Sequence, residues 1–225
     1  MARQLPLPLE LRPALTREDF IVAPSNAAAV RFIDSWPDWP SRRGALFGPK
    51  GCGKSHLIEV WRAATGALHL RAEDLTPEWV LSAPPAAAIA IENIDSLSTA
   101  PTADRDVALL ALFERPLGTL LFTGEGPPAG WPAATGDIRS RFAALLAIAM
   151  EPPGDALLGD LARKLFADRQ LRAPDAVIAR MLSALERTPA AVSAFVAAAD
   201  AKALAERRPI GERLVLDLLD ETERD

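Results

Sequence analysis

Gly48-Pro49-Lys50-Gly51-Cys52-Gly53-Lys54-Ser55 fits the phosphate-loop pattern G-x-x-x-x-G-K-[ST] in full. Glycines at these places let the backbone fold tightly, so that several N–H groups converge on phosphate oxygens. A helix starting near Ser55 would point its positive end at the same anion. Lys54 adds a full charge for the β- and γ-phosphates, and Ser55 offers a hydroxyl to Mg²⁺. The flanks agree. Ala45-Leu46-Phe47 is a short apolar run ending at glycine, as in a buried strand. Residues 55–64 place Leu57, Ile58 and Trp61 on one helical face. Gly48, Gly51, Cys52, Gly53, Lys54 and Ser55 are therefore candidate nucleotide contacts, with ADP or ATP and Mg²⁺ as the implied cofactors. Cys52 reads as a small space-filler turned away from phosphate, the other reading being a redox thiol.

Working outward, residues 26–35 read as a helix with Ser25 or Asn26 as its cap. Residues 67–71, 86–91 and 119–122 read as strands, and 106–113 as a helix. The unbroken apolar run 86–91 suits a strand covered on both faces. Alternating strands and helices predict an α/β fold: a P-loop three-layer αβα parallel sheet. The character changes at Glu151-Pro152-Pro153-Gly154, a linker by composition. Beyond it the pattern is helical only, with helices at 155–168, 174–186, 189–206 and 212–220, and Thr188-Pro189 as a cap followed by a first-turn proline. Three parts are expected: an extended tail at 1–12, a nucleotide-binding αβα subdomain at 13–150, and a small all-helical lid subdomain at 151–225. Compact folding is expected to begin near Phe20.

Composition narrows the function. The 225 residues hold 25 Lys and Arg against 30 Asp and Glu, a formal net charge of −5. A broad sequence-independent grip on DNA calls for the opposite sign. The densest apolar stretch, 142–150, is too short for a membrane span. The single cysteine and the polar N-terminus are those expected of a cytoplasmic protein, with no membrane partner.

A phosphate-loop ATPase needs a carboxylate at a neighbouring strand end to hold Mg²⁺, and a second acidic group to orient water. The strand here ends Ile91-Glu92-Asn93-Ile94-Asp95. Glu92 can fill one role, leaving Asn93 or Ile91 in the other. Asp95 could compensate only if the strand bends. Binding without rapid hydrolysis is the expectation, with Ser55 and Glu92 as the residues that meet nucleotide-borne Mg²⁺.

Together these motifs resemble the DnaA-like AAA+ family of replication proteins, and more narrowly its short, Hda-type regulatory branch. Phe20-Ile21-Val22-Ala23-Pro24-Ser25-Asn26 is similar to the family's adenine-pocket segment, which implies Phe20, Ile21, Val22 and Asn26 as base contacts. The phosphate loop continues into His56-Leu57 as in the family. Glu92-Asn93-Ile94 resembles the regulators' variant acidic motif. Thr123-Gly124-Glu125-Gly126-Pro127-Pro128 is similar to their sensor 1 segment, implying Thr123 and Glu125 near the nucleotide. Asp137-Ile138-Arg139-Ser140-Arg141-Phe142 is similar to the arginine-finger box. The resemblance implies Arg141 as a finger acting in trans and Arg139 as structural; a surface ion pair is the plainer alternative for Arg141. Gln4-Leu5-Pro6-Leu7-Pro8-Leu9 resembles a peptide that docks on the β sliding clamp. The sensor 2 position aligns with Ala190, with Arg187 one turn earlier as a substitute phosphate contact or a solvated side chain.

The resemblance implies a negative regulator of chromosomal replication initiation. It would meet DNA only indirectly through the clamp and stimulate ATP hydrolysis by DnaA, its own ATPase being weak or absent. Two other readings stay open: an AAA+ ATPase or loader hydrolysing its own ATP, and a nucleotide-free clamp or DnaA adapter. Self-association into a homodimer also stays open.

Overall fold

The computed structural model describes residues 15–95, 102–206 and 210–222. The tail peptide at 4–9 lies outside them. Strand β1 (Arg43–Phe47) delivers the phosphate loop, and helix α2 (Lys54–Thr65) follows it. Helix α1 (Ala27–Asp34) precedes β1. Strand β2 (Leu68–Arg71), helix α3 (Pro77–Ser82), strand β3 (Ala88–Glu92), helix α4 (Ala103–Phe113) and strand β4 (Thr119–Gly124) follow in turn. Helix α5 (Gly136–Ala143) and strand β5 (Leu146–Ala149) complete the layer. The five strands are all parallel, in the order β2-β3-β4-β1-β5.

Strand periodicity decides what each face buries, because successive side chains point to opposite sides. Ala45, Ile89, Ile91, Leu120 and Phe122 face α3, α4 and α5 and join Leu109, Leu112, Phe113 and Phe142. Leu46, Ala90 and Leu121 face α1 and α2 and join Phe32, Ile58 and Trp61. The bulky Trp61 is fully buried and lies on the side where β3 offers only alanine. This is the αβα sandwich that the sequence predicts. Three elements went unpredicted, namely α3, α5 and β5. α5 buries only Ile138 and Phe142, and the edge strand β5 alternates between half-buried Leu146 and Ile148 and two exposed alanines, with no fully buried residue. Helix α4 also starts earlier than its apolar pattern, at the cap Thr102, whose hydroxyl accepts from Arg105 N.

After residues 151–154 come α6 (Asp155–Asp168), α7 (Asp175–Ala184), α8 (Pro189–Glu206) and α9 (Glu212–Thr222). They share their own core, built on Leu158, Phe166, Met181, Val192, Val196 and Val215. Thr188 caps α8, accepting from Ala191 N at 3.1 Å. Among the described residues no helix is long and apolar enough to cross a membrane.

Ordered structure begins before Phe20. Arg17 pairs with Asp34 at the end of α1 at 2.8 Å. Asp19 pairs with Lys164 of α6 at 2.7 Å and so ties the helical part to the sheet layer. The Lys164 ammonium, helped by the Thr16 hydroxyl, holds the Asp19 carboxyl below its ordinary value, and Asp19 raises Lys164 in return. The stabilisation from this bridge is therefore complete above the unfolded Asp value of about 3.9 and is lost as pH falls through the lowered native one. On the alkaline side it is complete below the unfolded Lys value of about 10.4 and fades as pH rises through the raised one. Lys164→Met is expected to cost about 0.2–1 kcal/mol at pH 7. Once pH has fallen through the lowered Asp19 value the two proteins should melt together, which thermal unfolding across pH would show.

Candidate functional site

The phosphate loop joins β1 to α2 and is shaped by what surrounds it. Gly48 must lack a side chain, because a Cβ there would lie 2.2 Å from Met150 O. Gly53 holds φ at 105° beside the Phe20 ring. Cys52 is buried in the α1–α2 core, with its Sγ 3.8 Å from Lys54 Nζ. The Lys54 side chain, 7% exposed, donates to Gly48 O at 2.6 Å and Pro49 O at 3.0 Å. Among the described residues no carboxylate pairs with it, so its charge is available to an anion lying against the loop.

Ser55 and Glu92 come together as the sequence expected. The Ser55 hydroxyl donates to Glu92 Oε1. The other carboxylate oxygen meets His69 Nε2 at 3.1 Å, and His69 Nδ1 faces Glu59 Oε1 at 3.4 Å. His69 was missed in the sequence; its only signal is a polar residue inside the short strand next to the acidic one. Among the described residues no group of three or more His, Cys, Asp or Glu is poised to hold a metal. The Ser55 hydroxyl and the Glu92 carboxylate are hard oxygen donors side by side at the loop, a donor set that fits Mg²⁺ carried by a nucleotide.

The strand does bend after Glu92, yet Asp95 does not supply a second acid. Asn93 takes the left-handed conformation at φ 58° and donates from its backbone N to Thr123 Oγ1. This turn carries the Asp95 carboxylate to the amides of Glu125 and Gly126, each within 2.8 Å. Asp95 therefore shapes the loop after β4. Thr123 is fully buried with its hydroxyl turned to β3, while Glu125 reaches Lys50 of the phosphate loop at 3.6 Å. Arg105 is a second residue that the sequence did not offer. It is buried and donates to Ile94 O at 2.7 Å and Pro132 O at 3.2 Å, and burial pushes its pKa down. Its neighbour Asp106 accepts from Thr135 N at 2.6 Å and so fixes the start of α5.

The segment 20–26 lies alongside the loop. Phe20 packs edge-on against His56 at 4.9 Å, and Val22 is 51% exposed. Asn26 stands at the N-cap of α1, one of the two positions expected, but its side chain makes no capping hydrogen bond. Its Oδ1 accepts from Ala23 N at 2.9 Å and its Nδ2 donates to Ile21 O at 3.0 Å, so the amide is turned to the preceding segment and not to the helix end. It staples the 21–23 turn instead. From the opposite side Thr188 and Pro189 approach Gly51 closely, so the start of α8 abuts the loop. Arg187 beside them is exposed and pairs with Asp155 at 3.5 Å.

Arg141 stands elsewhere. It occupies the last turn of α5, two residues from the end of that helix, and α5 leads into the first residue of β5. It lies over the Phe113 ring at the end of α4, which leads into β4. Parallel strands all start at one edge of the sheet and finish at the other. Arg141 is thus at the starting edge and the phosphate loop at the finishing edge, about 15 Å of strand apart at ~3.3 Å per residue. Arg141 cannot serve a nucleotide held by its own loop.

Domain III of the replication initiation protein DnaA from Thermotoga maritima superposes with a TM-score of 0.78, over 93% of this chain and 97% of that one, at 16% identity. The chain has the AAA+ fold of DnaA domain III. DnaA from Aquifex aeolicus bound to AMPPCP gives 0.68, over 82% of this chain and 64% of that one, at 14% identity. A RuvB variant from Thermotoga maritima gives 0.65, over 81% and 63%, at 15% identity. In sequence, the chromosomal replication initiator protein DnaA 1 of Chlamydia pneumoniae is 32% identical over 84 residues, covering 32% of this chain. That match spans 18% of the length of the curated relative. No family model matches the chain.

Proposed function

We propose that this chain is an Hda-type regulator: it binds an adenine nucleotide, docks on the DNA-loaded β sliding clamp, and stimulates ATP hydrolysis by DnaA. The observation that carries this reading is the place of Arg141, at the sheet edge opposite its own phosphate loop. A guanidinium there can stabilise transition-state charge only on another subunit's γ-phosphate. Its own nucleotide would be held by the loop amides and Lys54, with Ser55 and Glu92 toward Mg²⁺, which would supply charge neutralisation at the phosphates. Among the described residues Glu92 is the one strand-end carboxylate bonded to Ser55, Asp95 being turned to the loop after β4, which supports slow hydrolysis by the chain itself. The sequence likeness to a replication initiator supports DnaA as partner. Residues 4–9 would supply the clamp peptide, its alternate leucines entering an apolar groove.

The test is ATP turnover by DnaA with clamp and DNA present. Adding this chain is expected to raise it, and deletion of residues 4–9 to remove most of the rise. No rise with the full chain would overturn the reading. A nucleotide-free adapter is the second reading, favoured by the exposed Ala190 at the start of α8 and by the pairing of Arg187 with Asp155.

A further inference from the structure

Arg141 does not stand free. Its Nε donates to both oxygens of Asp137, one turn back on α5, at 3.1 and 3.2 Å. Its guanidinium carbon lies 5.8 Å from the centre of the Phe113 ring, which is only 2% exposed and fixed in the core. Its Nη2 end faces Glu114 Oε1 at 3.9 Å. These contacts divide the group by edge. The Nε side is fastened to its own helix, the guanidinium carbon lies over a buried ring, and the Nη2 end answers to Glu114. That end is the one left to grip a phosphate.

The position of Glu114 sharpens the point. It is the C-cap of α4, where the helix's free carbonyls make the potential negative and disfavour a carboxylate. A cation suits that place, and Arg43 supplies one, donating to Phe113 O and lying 5.7 Å from the same ring. The stability of α4 therefore gives no reason for a glutamate there, whereas pairing with Arg141 does.

We propose that Glu114 is a positioning residue that occupies the phosphate-gripping end of Arg141 until a more highly charged phosphate chain displaces it, while Asp137 sets the aim of the guanidinium. This rests on the reading of Arg141 as a group lent in trans. Glu114 offers one negative charge, and at 3.9 Å it is held more loosely than by a hydrogen bond. A neighbouring subunit's nucleoside triphosphate brings more charge than a diphosphate and displaces the carboxylate more readily. Glu114 thereby weakens the contact by the fraction of the free chain in which it holds Arg141.

The experiment titrates the whole chain against DnaA loaded with ATP or ADP, on clamp and DNA, reading turnover in the ATP arm and binding in both. Glu114→Gln is expected to lower the concentration for half-maximal stimulation by between about 1.5-fold and fivefold, the range of an exposed ion pair, with the maximum unchanged. Its affinity for the ADP-loaded partner should rise by no more than the same factor, since the fraction of Arg141 held by Glu114 bears on both states. Glu114→Ala must move both values the same way. Asp137→Asn is expected to lower the maximum instead. In the free chain, side-chain ¹⁵N NMR should show faster rotation of the Arg141 guanidinium in Glu114→Gln, and an Nε shift only in Asp137→Asn. Unchanged half-saturation in both Glu114 variants, with Arg141→Ala inactive, overturns the latch and leaves the function standing. Full activity of Arg141→Ala overturns the function, and the latch with it.

Discussion

Arg141→Ala is expected to return DnaA turnover to the rate it has without this chain, a loss on the order of 10³-fold or more in the stimulated step. The size follows from what a finger does. Charge spreads over the γ-phosphoryl oxygens at the transition state, and a planar cation delivered from outside completes its neutralisation where water is excluded. A local role predicts something much smaller. The contacts of Arg141 within its own chain are exposed pairs to Asp137 and Glu114 together with a ring face. Such pairs contribute about 0–1 kcal/mol each. The variant should therefore melt within a few degrees of the parent, since 1 kcal/mol moves a chain of this size by roughly 2–4 °C. Clamp binding should be unchanged, because residues 4–9 are remote in sequence from α5. Arg141→Lys should stay close to Ala, as an ammonium keeps the charge and loses the fork. Stimulation that survives both substitutions would sink the trans role.

How far the sequence carried can be judged element by element. The phosphate loop was legible because its chemistry is local: eight consecutive residues set the turn, the charge and the helix start. The buried strands β3 and β4 were legible as unbroken apolar runs. The edge strand β5 was not, because its neighbour on one side only is β1 and its residues are as common in helices. α5 escaped for a similar reason, with two buried residues and a polar remainder. Asn26 does stand at the start of α1, but only the fold shows Ile21 and Ala23 taking up both ends of its amide in place of a capping bond. Asp95 illustrates the limit best. Whether it could act as a second acid hung on a bend, and the bend at Asn93 is present. Where the carboxylate then points is decided by amides 30 residues away in sequence, which no local pattern encodes. His69 is the same case from the other side, since its contact with Glu92 exists only because β2 and β3 are parallel neighbours.

The contact on which nucleotide affinity depends most can be tested with no partner at all. Lys54→Met should abolish most ADP and ATP binding while leaving the fold intact. In the parent, nucleotide at 100 times Kd stabilises by ~2.7 kcal/mol, which is a rise of roughly 5–10 °C in Tm. Removing a desolvated charge from a phosphate contact costs on the order of 3 kcal/mol, or about 100-fold in affinity. At the same concentration the variant would then sit near its own Kd and gain about 0.4 kcal/mol, a shift of roughly 1 °C. The unliganded melting point gives the control. Lys54 is a buried ammonium held by two carbonyls, and burying a charge is costly unless it is fully compensated. Methionine fills the same volume with nothing to desolvate, which offsets the loss of a donor by the Gly48 and Pro49 carbonyls, so the unliganded variant should melt within a few degrees of the parent. A lysine retained at that cost, in a loop that Gly48 and Gly53 shape for backbone donors, makes sense if an anion repays it. A parent chain that shows no shift with either nucleotide, beside a variant of similar stability, would mean that the loop has kept its form and lost its ligand, and the adapter reading would then replace the first.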